Sequence, residues 1–274
     1  MSSIKGSDLD GRTTKKGTKA KLSTHQSTAQ RKPLMKPKFD LYGYVERVPL
    51  TELRRATAKR MVGSQHKSAH VTAMDVVDVT ELCNTLLNHK KSIMEDNNIM
   101  ITYLPLIMKS VIEALKLSPV LNSTYNEDSE EIIIKKYYNI GFTVNTEDEL
   151  LIPVIKGADQ KGIKELSDEI KELTDLATTK QINSADLDGS TFTIINYGVF
   201  GGIYCTPIIN YPEVAILGIG RIMDVPMVKD GEIKIRKALH LSLSFDYRVL
   251  NYAEAALFLN TLKSNLESPN TLLV

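Results

Sequence analysis

The sequence predicts an α/β domain of the α+β kind, a mixed sheet with helices packed against it. Three observations predict it. Segments with strand and helix periodicity are interspersed without a regular βαβ repeat, which argues against a doubly wound parallel sheet. The chain has 274 residues, 42% hydrophobic and 24% charged, enough for one globular domain of roughly 200–230 residues and a tail. The charge is uneven: residues 1–38 hold ten Lys/Arg and two Asp/Glu, whereas the remainder holds 24 and 31.

Taken in order, residues 1–41 read as a basic, flexible arm of Gly, Pro, Ser, Thr and Lys with almost no apolar periodicity. Its acid-poor, Ser/Thr-rich character also fits an organellar transit peptide, a reading given second place. The folded domain spans 42–274. Thr51 caps a helix over 52–62, Glu52 favours its positive end, and Gly63 is the expected stop. Residues 70–79 are β-rich and partly alternating, a strand. Helices follow at 80–96 and 103–117, the second ending before Pro119. Strands are expected at 131–136, 138–145 and 150–155, a helix at 163–180, and strands at 191–197, 214–222 and 238–246. A helix over 252–267 closes the domain.

Composition excludes several function classes. A net charge of +1 provides no global field for nucleic acid or an acidic membrane. No apolar run reaches the roughly 18 residues of a membrane span, and no signal-peptide stretch opens the chain. Cys83 and Cys205 have neither C-x-x-C nor metal-ligand spacing, so both read as reduced core residues of a cytoplasmic protein with no metal.

The segment Ser244-Phe245-Asp246-Tyr247-Arg248-Val249-Leu250-Asn251-Tyr252 resembles the active-site stretch of the dihydrolipoamide acyltransferases of 2-oxo acid dehydrogenase complexes, S-x-D-H-R-V-[IL]-D-G. Five further stretches resemble the same family in the same order. They are Val48-Pro49-Leu50 with Arg54, Ala58, Arg60 and Met61; His70-Val71-Thr72 with Asp78-Val79-Thr80-Glu81-Leu82; Tyr138-Asn139-Ile140-Gly141 with Leu151-Ile152-Pro153-Val154-Ile155; Gly189-Ser190-Thr191-Phe192-Thr193-Ile194 with Asn196 and Gly198; and the run from Thr206-Pro207 to Gly218. In the arm, Ile4–Lys16 resembles the tail of a peripheral-subunit-binding domain whose first helix and final acidic residue are missing.

The resemblance implies a chloramphenicol-acetyltransferase-like two-layer sandwich that forms trimers, with the active site in a channel between subunits and the trimers built into cage-like cores. The family reaction moves an acyl group between a lipoyl thiol and coenzyme A. A protonated thiol of pKa about 8.5 is a poor nucleophile, so a histidine base takes its proton. A Ser or Thr hydroxyl holds the oxyanion. Here the base position is Tyr247, the hydroxyl position is Ile195, the following acidic position is Asn251 and the family's next Gly is Tyr252. A phenol of ordinary pKa about 10 does not readily accept a thiol proton at neutral pH, and an isoleucine donates nothing.

By the same resemblance, coenzyme A contacts are expected at Thr102, Asn145, Ile195, Asn196, Gly220 and Ile222. An arginine that some relatives use is replaced near Leu86, and the family's channel-side Gly is Glu149. Gly218-Ile219-Gly220 lacks the third glycine and following helix of a phosphate fingerprint. Asp246 is expected to pair with an arginine from elsewhere, Arg60 or Arg54 being the candidates. His240 lies on the wrong pleat and too far along the strand to replace the base. His70 reads as structural, His66 lies near the first strand, His25 is in the arm and His89 is solvated.

The sequence thus reads as a catalytically impaired, structural core subunit of a 2-oxo acid dehydrogenase-type complex, a homotrimer or larger cage. Coenzyme A would be its substrate ligand if retained. A lipoyl group would come from another chain, and an active acyltransferase paralogue and a lipoyl-domain protein would be partners. The alternatives are an active acyltransferase with a non-standard base, and coenzyme A or small-ligand binding without turnover.

Overall fold

The computed structural model of the chain describes residues 38–39, 41–93, 102–146 and 149–269. The Ile4–Lys16 stretch, His25 and nearly all of the arm expected over 1–41 lie outside them. The chain divides into two compact units between Leu50 and Thr51. In the first, β1 (Lys38–Phe39) and β2 (Tyr44–Val45) form a short antiparallel ladder.

The second unit opens with α1 (Glu52–Lys67), whose N-cap Thr51 accepts the Arg54 amide at 3.2 Å. Gly63 does not stop this helix. Ser64, one residue on, is buried and donates to the Ile209 carbonyl at 2.5 Å, and that tertiary anchor outweighs the roughly 1 kcal/mol that a glycine costs a helix interior. Then come β3 (His70–Asp78), α2 (Thr80–Ile93) and α3 (Tyr103–Leu117). Residues 94–96 of the second expected helix lie outside the described residues, as does the His89 side chain.

The hairpin of β4 (Ser123–Asn126) and β5 (Glu131–Ile134) contains a strand that the sequence reading left unassigned, because Ser-Thr-Tyr-Asn carries no apolar alternation. The expected strand over 138–145 divides into β6 (Ile140–Phe142) and β7 (Val144–Asn145). That over 150–155 breaks at Pro153 into β8 (Leu150–Leu151) and β9 (Val154–Ile155). Helix α4 (Ile163–Thr178) stops short of 180, where Lys180 turns left-handed at φ 60.

After β10 (Phe192–Asn196), β11 (Ala215–Lys229) and β12 (Glu232–Asp246) run 15 residues each, well past the expected 214–222 and 238–246. Asp230 and Gly231, at φ 56 and 79, join them. An Asp-Gly pair with both φ positive is the turn that matches strand twist, so this signal was present in the sequence and unread. Helix α5 (Tyr252–Glu267) closes the domain.

The main sheet has the order β3-β12-β11-β10-β6-β9. Strand β10 is parallel to β11 and β6, and the other pairs are antiparallel, so the sheet is mixed. Strand parity gives it two unlike faces. One face presents Leu217, Ile219, Leu239, Leu241, Leu243 and Phe245 to the buried core. Helices α2, α3 and α5 cover this face, and Lys263 of α5 holds Asp75 of β3 at 2.9 Å. The other face is polar. Thr72 meets Ser244 at 2.7 Å, and Ser242 meets the Tyr197 hydroxyl at 3.2 Å. The segment 197–213 crosses this face and takes the backbone of Ile209 to His70 and Ser64.

Candidate functional site

Tyr247 sits where β12 ends. Its amide donates to the Ala69 carbonyl at 2.9 Å. Its ring lies 5.4 Å from Tyr252 and 6.3 Å from Phe245, and is 47% exposed. Tyr252, which stands where the family has a glycine, thus contacts Tyr247 itself. No described residue makes a hydrogen bond to the Tyr247 hydroxyl.

The neighbours of Tyr247 are tied down. Asp246 is 2% exposed and accepts from the amides of Ala69 and Arg248, each at 3.1 Å, and from the Arg248 guanidinium at 2.7 Å. Burial alone would raise this carboxyl. The bonds from Arg248 and the two amides together outweigh it and hold the group below the usual carboxylate range. The sequence expectation of Arg60 or Arg54 as the partner is wrong. Arg248 is two residues away, just past the end of β12, and its backbone amide and guanidinium both turn back onto the Asp246 carboxylate. Arg248 also reaches Glu127 at 2.6 Å and stacks on Tyr125. The carboxylates beside it raise its own pKa. This cation is therefore committed and cannot serve the phenol.

Asn251 caps α5. Its Oδ1 accepts the amides of Ala253 and Glu254 at 2.9 and 3.1 Å, and Glu254 accepts the Asn251 amide at 2.9 Å, a complete capping box.

Ile195 lies far from Tyr247 within one chain. It pairs with Gly218, which pairs with Ser242. Ser242 precedes Tyr247 by five residues, so the two positions stand roughly 16 Å apart along the strands and two strands apart across them. On that face the Tyr197 ring lies against Gly218, where an added Cβ would stand 2.8 Å from Cε1. Its hydroxyl is taken by Ile203 and Ser242 at 3.1 and 3.2 Å, and burial pushes its pKa up to about 12.

Of the coenzyme A positions, Asn196, Gly220 and Ile222 line one cleft of about 230 Å³, together with Tyr103, Val199 and Arg221. Thr102 is the exposed N-cap residue next to Tyr103 and makes no side-chain capping bond. Asn145 is exposed on β7 opposite Leu150 and does not line the cleft. Sequence reasoning missed Arg221 and Tyr103. Gly220 was expected there through the family resemblance, whereas Gly218-Ile219-Gly220 carries no phosphate fingerprint. These glycines have a packing reason: a Cβ on Gly220 would stand 2.1 Å from the Ile203 carbonyl, and one on Gly198 2.4 Å from Gly220.

The remaining candidates lie elsewhere. His70 is held at both nitrogens, Nδ1 by the Ser68 carbonyl at 3.1 Å and Nε2 by the Ile209 amide at 3.0 Å. His240 is buried edge-on to Tyr204 at 4.8 Å. Glu149 accepts from Thr57 of α1 at 3.0 Å. Cys83 is buried in the core, Cys205 is half-buried, and both are free thiols. Among the described residues, no group of three or more His, Cys, Asp or Glu could hold a metal ion, and no helix is long and apolar enough to cross a membrane.

The mixed sheet, its helix-covered face and the motif at the end of β12 define an acyltransferase catalytic fold. The model of the 2-oxoacid dehydrogenases acyltransferase (catalytic domain) matches residues 43–274, and the chain belongs to that family. It is 44% identical over 241 residues to the dihydrolipoyllysine-residue acetyltransferase component of the pyruvate dehydrogenase complex of Staphylococcus epidermidis, covering 87% of this chain and 54% of the relative. The corresponding Bacillus subtilis component is 45% identical over 231 residues, 83% of this chain and 51% of the relative. The chain thus spans about half the length of these curated relatives.

Among solved structures, the Azotobacter vinelandii dihydrolipoamide acetyltransferase superposes with a TM-score of 0.81 at 38% identity, covering 87% of this chain and 99% of that one. That enzyme was studied for the role of a serine, a histidine and an asparagine in its catalytic mechanism. They are spaced as Ile195, Tyr247 and Asn251 are here. The truncated 2-oxoacid dehydrogenase core of Thermoplasma acidophilum superposes with a TM-score of 0.74 at 38% identity, over 82% of this chain and 100% of that one.

Proposed function

We propose that this chain is a core subunit of a 2-oxo acid dehydrogenase complex that keeps the acyltransferase scaffold and has lost its acyl-transfer chemistry. The observation that carries this reading is Tyr247 at the base position, with the adjacent cation Arg248 committed to Asp246 and Glu127. Ile195 at the oxyanion position adds to it. Losing one such donor lowers rates by about 10²–10³, and the two losses concern cooperating groups, so they need not multiply.

Tyr247 and Ile195 lie too far apart to meet within one chain. A site shared between neighbouring copies of a trimer accommodates that separation, and the resemblance implies one. A homotrimer or larger cage is accordingly part of the proposal, as is a cleft holding coenzyme A through Asn196, Gly220 and Ile222. The division into an arm over 1–41 and a core domain over 42–274 belongs to it too. So do a lipoyl group carried by another chain, an active paralogue as co-assembly partner, and a cytoplasmic location.

A spectrophotometric assay with dihydrolipoamide and acetyl-CoA tests the reading. The expected result is an inert wild type and measurable turnover in Tyr247→His combined with Ile195→Ser. Wild-type turnover that Tyr247→Phe abolishes would establish the alternative, an active enzyme with a non-standard base. Light scattering tests the assembly, and a stable monomer would sink the core-subunit role.

A further inference from the structure

Among the described residues, no side-chain partner is seen for Arg221. It is, among the described residues, the only charged side chain lining the cleft of Asn196, Gly220 and Ile222, and its guanidinium is in none of the ion pairs or side-chain hydrogen bonds seen among them. Its backbone, in contrast, is fixed. The ladder between β11 and β12 shifts register between Ile219 and Ile222, leaving Gly220 and Arg221 out of it. The Arg221 amide instead donates to the Gly202 carbonyl at 2.9 Å. A bulge of this kind re-aims a side chain, and the glycine contacts at Gly198 and Gly220 leave the strand no room to shift. The rest of the cleft is apolar or neutral, with Ile219, Ile222, Leu239 and Val199 as walls and the part-exposed Tyr103 ring at one side. Leu86, where a relative's arginine was expected to be replaced, is 5% exposed within the core, so a cation there would be buried.

We propose that Arg221 is the anion-holding residue of this cleft and takes a phosphate of a nucleotide-bearing thiol, while the apolar walls take the uncharged part of the same ligand. This rests on the reading of the cleft as a coenzyme A site and adds the residue that supplies its positive charge. Guanidinium and phosphate form charge-assisted, often bidentate hydrogen bonds. The phosphate is either the 3′-monophosphate or the diphosphate.

Isothermal titration calorimetry on the full chain, with coenzyme A, 3′-dephospho-coenzyme A and pantetheine, tests it. Arg221→Gln is expected to weaken coenzyme A binding by about ten- to hundredfold and to leave pantetheine binding unchanged. Arg221→Lys should recover part of the loss. If the wild type holds dephospho-coenzyme A more weakly, and that ligand is indifferent to Arg221→Gln, the partner is the 3′-phosphate. If the dephospho ligand remains sensitive to the variant, the partner is the diphosphate. Coenzyme A binding equal in wild type and Arg221→Gln would overturn the anion subsite and leave the cleft's identity standing. A wild type that binds none of the three would remove both.

Discussion

The residues around Tyr247 and Ile195 differ sharply from those two themselves. Asp246, Arg248 and Asn251 use nearly every polar atom they have, on one another, on Ala69, on Glu127 and on the first turn of α5. The base of β10, which carries Ile195, is held by a second network: Glu213 accepts from Ser190, from Thr193 at 2.8 Å and from Asn210 at 2.9 Å. Tyr247, Tyr252 and Ile195 take part in neither network with their side chains. Tyr247 and Tyr252 make ring contacts with each other and with Phe245. The frame is built from its own electrostatics, and among the described residues its hydrogen bonds do not run through the side chains of Tyr247, Tyr252 or Ile195.

Breaking the frame should have the largest effects. Asp246→Ala leaves the Arg248 guanidinium without its buried partner and two amides without an acceptor. A loss of roughly 3–5 kcal/mol is expected, read from the midpoint of urea unfolding. Glu213 gives the next effect, and one that depends on pH. Burial, opposed by its hydrogen bonds and by Lys135, pushes this carboxyl from 4.5 up to about 7. Between those values the folded chain keeps a proton that the unfolded chain has released, so stability falls as pH rises through that window. Glu213→Gln, always neutral, should flatten the slope. At pH 8 it should exceed the wild type by about 2–3 kcal/mol, with no advantage near pH 4. A wild type and variant with parallel pH–stability curves would contradict this account.

Asn251→Ala removes a helix cap and should lose about 1 kcal/mol, visible as a lower midpoint with an unchanged denaturant slope. The occupants should matter least. Tyr252→Ala forfeits an exposed ring contact, worth about 0.5–1.5 kcal/mol at most. Tyr247→Phe should fall within about 0.5 kcal/mol of the wild type. A loss from Tyr247→Phe as large as that from Asp246→Ala would erase the distinction between frame and occupant.

Much of this was legible in the order of residues. The helix over Tyr103–Leu117 and the closing helix over Tyr252–Glu267 fall where the periodicity put them. The mixed sheet follows from the irregular interspersion of strands and helices. Elements lacking apolar alternation, such as β4, were illegible, and the length of the β11–β12 ribbon was underestimated although its Asp-Gly turn was in view. Gly63 misled because a helix boundary set by a buried serine 145 residues from its acceptor leaves no local trace.

By itself the sequence determined which chemical groups are absent: an imidazole at 247 and a hydroxyl at 195, since side-chain identity is a local fact. It also determined the family, since motif order is linear information. Only the tertiary structure decided that Arg248 rather than a distant arginine neutralises Asp246, that Asn251 has a capping role, that Arg221 faces the cleft and that Tyr247 and Ile195 lie far apart. Those are matters of direction and distance, fixed by a turn, a bulge and the register of strands remote in the chain.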